Sequence, residues 1–292
     1  QNDYFNTNNK LKYNKLNRTT SGKWDLTISS KRGWFEIDFI EIWRYRDLLT
    51  LFVKRDFTTF YKQTILGPLW FFLQPFLSTI VMTVIFNRIA KIPTDEVPPI
   101  LFYMSGIIAW NYFSNCLVMT SGTFTSNAGL FSKVYFPRII VPLSQVISGL
   151  AKFLVQFILF ILFFIYYLFD GNSQINISYS SIFILPILIF QMALLGQGIG
   201  MIVSSLTTKY RDLKFLISFG SQLMMYASPI VYPLSIVPEK YKYIILANPM
   251  TPIIEGFRQS LMGTGIFNFA MFSNSLLVTI FIFLLGLIIF NK

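Results

Sequence analysis

Side chains able to do chemistry are scarce in this chain, and the pattern of their absence is informative. There is no histidine, which removes the usual proton-transfer base and the commonest metal ligand. Cys116 is the sole cysteine, so no intrachain disulfide and no paired-thiol metal site can form. Asp95, Glu96, Asp170, Glu239 and Glu255 fall between long apolar stretches, as does Asp212, and none stands at metal-ligand spacing. Serines are plentiful, but a serine nucleophile relying on histidine is impossible here. The string nearest to a phosphate-binding loop, Asn17 to Trp24, ends in Gly-Lys-Trp. It lacks the first glycine and the Ser/Thr that would hold magnesium. Neither a catalytic group nor a cofactor site is expected on this chain.

The elements that remain are those of a membrane protein. Of 292 residues, 54% are hydrophobic and 13% are charged, against roughly a quarter charged in a soluble domain. Several uncharged stretches reach the roughly 20 residues that cross a bilayer. Six spans are expected: between Lys62 and Arg88, then 100–121, 139–169, 182–206, 213–232 and 269–290. Lys152 is expected to snorkel toward one end of the third. No Asp or Glu lies inside any of the six. Proton-coupled carriers keep carboxylates or histidines within the membrane, so the driving energy is expected to come from another polypeptide. A sodium-coupled carrier that uses backbone carbonyls stays open as an alternative.

Twelve of the 24 Lys and Arg residues lie within 1–62. Lys54, Arg55 and Lys62 precede the first span, and Lys209, Arg211 and Lys214 separate the fourth from the fifth. Positive charge marks the cytoplasmic side, so both termini are expected there. Basic residues gathered beside a span, rather than interleaved with aromatics on a water-facing domain, speak against a nucleic-acid partner. Residues 1–40 form a polar, Asn- and Lys-rich tail, 41–62 a separate helix and 63–292 the spanning domain. In 41–62, Ile42, Tyr45, Leu48, Leu49, Phe52, Val53, Phe57 and Phe60 share one helical side. Arg44, Asp47, Lys54, Arg55 and Lys62 share the other, as in a helix lying among lipid headgroups. Asp56 falls on the apolar side. Either it stays hydrated near the interface, or it pairs with a cation from another segment or subunit.

An ordered series of short motifs resembles the membrane subunits of polysaccharide-exporting ABC transporters, which move O-antigen, teichoic acid or capsule chains. It runs from Tyr61 to Trp70 (YKQTILGPLW) and Gln74-Pro75, through Phe102-Tyr103, Gly106, Trp110 and Phe113, to Phe136-Pro137-Arg138. Tyr210-Arg211-Asp212, Ser228 to Pro233 (SPIVYP), Asn248-Pro249 and Glu255 with Arg258 complete it. The resemblance covers roughly residues 40–290. It implies an all-α integral membrane fold with six transmembrane helices, an N-terminal amphipathic interface helix and a re-entrant outer hairpin between helices 5 and 6. It further implies a homodimer in the bacterial inner membrane, two ATP-binding cassette subunits carrying ATP and magnesium, and a lipid-linked polysaccharide as cargo. A related exporter of drugs or small lipids is the other transport reading.

The resemblance also distributes roles. Coupling to the ATPase falls to Arg44, Arg55, Lys133, Arg138, Arg211 and Asp212, with short coupling helices at 133–138 and 207–214. Glu255 and Arg258, three residues apart and hence neighbours on a helix, belong to an outer gate; a simple local ion pair is the plainer reading. Tyr103, Trp110 and Tyr232 are either interface anchors or rings lining a sugar path. Met224, Met225 and Tyr226 precede Pro229, where a kink is expected; they line the path or pack in the core.

Overall fold

The computed structural model describes residues 39–62, 65–170, 183–210 and 212–291. The expected tail and the coupling role of Arg211 lie outside the described residues. No strand occurs among the described residues, and helices dominate. In chain order these are α1 (Phe39–Arg44), α2 (Arg46–Lys62), α3 (Trp70–Met82, continued by a wider turn over Thr83–Ile89) and α4 (Pro99–Ser121). The short α5 (Thr123–Ser126) and α6 (Ala128–Phe131) follow, then α7 (Ile140–Asp170), α8 (Leu185–Thr207) and α9 (Leu213–Ala227). The series ends with α10 (Glu239–Leu246), α11 (Met250–Met262) and α12 (Phe269–Asn291).

Four helical stretches are long and apolar enough to cross a bilayer: Trp70–Ile89, Ile140–Phe169, Leu185–Thr207 and Phe269–Asn291. They coincide with the first, third, fourth and sixth expected spans. The second expected span is helical over Pro99–Ser121, but Asn111, Ser114 and Asn115 interrupt its apolar character. The fifth departs from expectation. Helix α9 stops at Ala227 instead of running to Tyr232, because Ser228 adopts an extended backbone. A residue before proline is pushed out of the helical region, and Pro229 has no N–H to continue the ladder. The Ser228 hydroxyl donates to Met224 O at 2.7 Å, and the Asn248 amide donates to that hydroxyl at 2.8 Å. The expected kink is therefore a helix end, with Asn248 securing it. At 15 residues, α9 is about 22 Å long, shorter than the roughly 30 Å hydrocarbon layer.

Helix α8 sits between α4 and α12, and glycine allows the approach. A Cβ on Gly196 would lie 2.7 Å from Phe113 O, and one on Gly200 would lie 2.6 Å from Thr120 Cβ, both on α4. On the other side, a Cβ on Gly198 would lie 2.8 Å from Phe283 Cα on α12, and Gly286 of α12 closes directly on the Gly198 backbone. Lipid tails are as apolar as side chains, so helices in a bilayer associate through such close packing and through interhelical hydrogen bonds. One of those bonds joins Gln191 of α8 to Ser275 of α12 at 2.8 Å.

On the first amphiphilic stretch, Tyr45 separates α1 from α2. Phe52 is buried against Phe136, Ile140 and Val141, with Tyr45, Leu48 and Leu49 packed around them. Arg44, Lys54 and Arg55 are exposed.

Candidate functional site

The most constrained group of side chains lies on α11, in the connection between α9 and α12. Arg258 is 1% exposed and Glu255 2%. Their side chains meet at 3.3 Å, so the helical neighbours do pair. Arg258 reaches further. It donates to Pro229 O and, at 3.2 Å, to Ile230 O, two carbonyls freed where α9 ends. Its guanidinium carbon stands 3.6 Å from the Phe102 ring centroid on α4. Glu255 in turn accepts the Ile266 N–H at 2.9 Å, fixing the turn that leads into α12. Burial pushes the Glu255 carboxyl above the ordinary carboxylate range, with Arg258 pulling against it. Burial lowers Arg258 to about 10, which leaves it cationic at neutral pH. A planar fork with five donors suits this task, serving two carbonyls, a carboxylate and a ring at once.

Around this node lies the rest of the connection between α9 and α12. Gly263 ends α11 at φ 71° and donates to Gln259 O at 3.1 Å, a left-handed cap that glycine adopts without strain. Asp95, in the loop between α3 and α4, accepts the Ser235 hydroxyl at 2.7 Å.

The expected path residues separate into two groups. Tyr103 and Trp110 of α4 are closed inside the packed interior of the chain, 0% and 3% exposed. Met224 and Tyr226 of α9 stand open, 55% and 45% exposed, and Met225 and Tyr232 are half-buried. The Tyr232 hydroxyl donates to Ala227 O at 3.0 Å across the break.

At the opposite end of the helices, Lys133, Arg138 and Asp212 are all exposed. The short helices there are α5 and α6, just ahead of the expected 133–138. Arg138 lies 5.8 Å from the Phe124 ring of α5. A cleft of about 350 Å³ opens beside it, lined by Phe124, Phe131, Tyr135, Phe136 and Arg138. No separate helix forms at 207–214 among the described residues. Instead α8 ends at Thr207 and α9 begins at Leu213.

Sequence reasoning missed a polar cleft at the depth of the spans. Gln74 of α3, Asn111, Ser114 and Asn115 of α4, and Lys152 and Gln156 of α7 line a cavity of about 320 Å³. Lys152, twelve residues beyond Ile140 on α7, is among the residues that line this cleft. The signal was present. Asn111 and Asn115, like Lys152 and Gln156, are four apart, which places each pair on one helical face. Asp56 attracts Lys152 electrostatically and is itself paired with Arg55 at 2.9 Å.

Comparison with known proteins shows the family of the chain. The ABC-2 type transporter family matches residues 47–262. The chain is 30% identical over 246 residues to the O-antigen export system permease protein RfbA of Klebsiella pneumoniae, covering 84% of this chain and 92% of that protein. It is 26% identical over 221 residues to RfbA of Myxococcus xanthus, covering 75% and 81%. To the polysialic acid transport protein KpsM of Escherichia coli it is 24% identical over 242 residues, covering 78% and 87%. With three quarters of its length matched by that family and a relative aligned almost from end to end, the chain belongs to the ABC-2 type transporter family of membrane proteins.

Proposed function

We propose that the chain is the membrane-spanning permease of an ATP-driven exporter that carries a lipid-linked surface polysaccharide out across the bacterial inner membrane. The observation that carries this reading is the 30% identity over 92% of the length of an O-antigen export permease. Two further relatives whose names concern O-antigen and polysialic acid support it. In this reading two copies form the channel and each docks one ATP-binding cassette subunit. ATP and magnesium belong to those subunits, consistent with the missing phosphate loop. Helix α4 supplies a fifth crossing. Helix α9 with the turn over Ser228–Tyr232 supplies the sixth, which leaves both termini cytoplasmic.

Helices α1 and α2 lie in the inner headgroup plane, with Arg44 and Arg55 turned to water and the ATPase. Lys133, Arg138, Arg211 and Asp212 complete the coupling surface. Helices α10 and α11 form the re-entrant outer segment, and the Glu255–Arg258 pair holds the gate to the end of α9. Tyr103, Trp110, Met224, Met225, Tyr226 and Tyr232 are assigned to the path. Met224 and Tyr226 are open to it in a single copy, and the buried α4 rings would face it only after α4 and α11 separate.

Deleting the gene and following the polymer tests the reading. Polysaccharide should accumulate inside the cell while its synthesis continues, and plasmid-borne protein should return it to the surface. Normal surface polymer in the deletion strain would remove the proposal.

A further inference from the structure

We propose that the cleft between α3, α4 and α7 is a binding site for an uncharged sugar unit, held by the side-chain amides of Gln74, Asn111, Asn115 and Gln156. The inference rests on the export reading and adds to it a site on this chain and the class of group that the site takes.

The four carboxamides line one cavity of about 320 Å³, a volume within the range of small-molecule sites. Each offers two donors and an acceptor. Among the described residues, none of the four side chains has a hydrogen-bond partner. By contrast, the Ser114 hydroxyl on the same wall is already matched by Ser221 of α9 at 2.7 Å. Two of the three walls, α3 and α7, belong to stretches apolar enough to cross a bilayer. There an amide is costly unless a polar content meets it.

The surroundings of the amides decide the charge of that content. Lys152, the cation among the lining residues, is engaged within the protein. Asp56 attracts it, and its ammonium nitrogen stands 5.8 Å from the centroid of the Phe71 ring. It is therefore not free to hold an anion. No carboxylate lines the cleft, so a cationic group finds no counter-ion there. An acyl chain would leave all four amides unpaired. What fits is a neutral group that donates and accepts along its rim and presents apolar C–H faces, which is the surface of a sugar ring. Tyr112 and Phe153, with ring centroids 5.2 Å apart, supply the apolar wall.

Gly149 shapes that wall. A Cβ there would lie 2.7 Å from the Asn115 amide nitrogen and 3.5 Å from the Tyr112 ring. Glycine therefore lets the amide stand beside the ring, so that one ligand can meet both.

Position ties the cleft to the proposed path. The bond from Ser114 to Ser221 sets the cleft against α9. Ser221 is buried, whereas Met224 and Tyr226 of the same helix stand open. A sugar unit in the cleft would thus sit beside the helix assigned above to the path.

The test uses the full chain co-purified with its ATPase partner in lipid nanodiscs, as wild type, Asn115→Leu and Gln156→Met. The probes are photoreactive diazirine forms of methyl N-acetylglucosaminide and methyl glucoside, and cross-linked peptides are mapped by mass spectrometry. In the wild type at least one probe should mark the cleft wall, at Tyr112, Met119 or Phe153. Excess unmodified glycoside should suppress that mark, and N-acetylglucosamine 1-phosphate should compete no better. At least one variant should lower the labelling by about fivefold or more, as loss of the hydrogen bonds to one amide predicts. Should either variant fail to assemble, checked by gel filtration, the other variant and the wild-type map carry the test.

No labelling by either probe, or labelling confined to residues outside the cleft, overturns the proposal. So does stronger competition by the sugar phosphate than by the neutral glycoside, which would name an anion site. So does labelling reduced by less than about fivefold in every variant that assembles. Polymer export by the wild-type complex is measured in parallel. Export with an unlabelled cleft removes only this site, whereas absence of export removes the permease reading itself.

Discussion

Arg258 and Phe102 face each other at the crossing of α11 and α4, with the guanidinium carbon 3.6 Å from the ring centroid. That contact joins three pieces that the sequence keeps far apart. Through the same side chain, α11 is tied to the carbonyls of Pro229 and Ile230 at the end of α9. A movement of α9 or α4 must therefore either carry α11 with it or break a buried cation away from its partners.

Arg258→Ala should consequently be among the costliest single changes in the molecule. It strands Glu255 in the interior, and breaking a buried pair costs about 3–5 kcal/mol. Thermal unfolding followed by tryptophan fluorescence in detergent should register a large drop. Arg258→Lys should recover only part, since a lysine cannot present the planar fork. A melting temperature for Arg258→Ala equal to the parent would mean that the node is not structural.

The α8 glycines make a sharper contrast. Gly200→Val places branched carbons where a Cβ alone would already lie 2.6 Å from Thr120, whereas Gly220→Ala on α9 meets nothing within 4 Å. Gly200→Val should reduce the yield of folded protein several-fold, and Gly220→Ala should leave it within experimental scatter. Size-exclusion profiles of the two purified variants give the comparison.

Much of this fold was legible because the bilayer imposes a length and a polarity on every crossing. The apolar stretches gave Ile140–Phe169 and Phe269–Asn291 within a residue of their expected positions. The apolar side read for 41–62 was expected to meet lipid headgroups, whereas Phe52 of that side packs against Phe136, Ile140 and Val141 of the protein. The end of α9 was not legible. Whether Pro229 bends or stops a helix depends on partners such as Asn248, 20 residues from Ser228, and Arg258, 29 residues from Pro229. The polar cleft escaped for a related reason: Gln74, Asn115 and Lys152 are unremarkable singly and acquire meaning only when three helices bring them together.

Exposed charge at the end of the helices proposed to dock the ATPase should matter for coupling and not for folding. Arg138→Glu and Asp212→Arg should insert and fold normally, because a surface substitution shifts stability by about 0.5 kcal/mol or less. Each should weaken recovery of the ATPase in pull-downs or separate ATP hydrolysis from export. Parental export by both variants would assign these charges to topology alone.

Tyr226 is 45% exposed in a single copy, whereas Cys116 is buried. A Cys116→Ala, Tyr226→Cys variant should react with a membrane-impermeant thiol reagent in at least one state of the nucleotide cycle. Tyr226→Ala should lower export, and Tyr226→Phe should preserve it, if the proposed path uses the ring rather than the hydroxyl as its sliding surface. Complete protection in every state, together with normal export by Tyr226→Ala, would return this side chain to helix packing.

The most direct measurement of the central claim is transport by purified components. Inside-out vesicles containing the full chain and its ATPase partner, supplied with radiolabelled lipid-linked polysaccharide on the outer face, should sequester the polymer from added glycosidase only when magnesium and ATP are present. Vesicles with either protein alone should leave it fully digestible. Sequestration by the permease without its partner, or equal digestion with and without ATP in the complete system, would contradict the account.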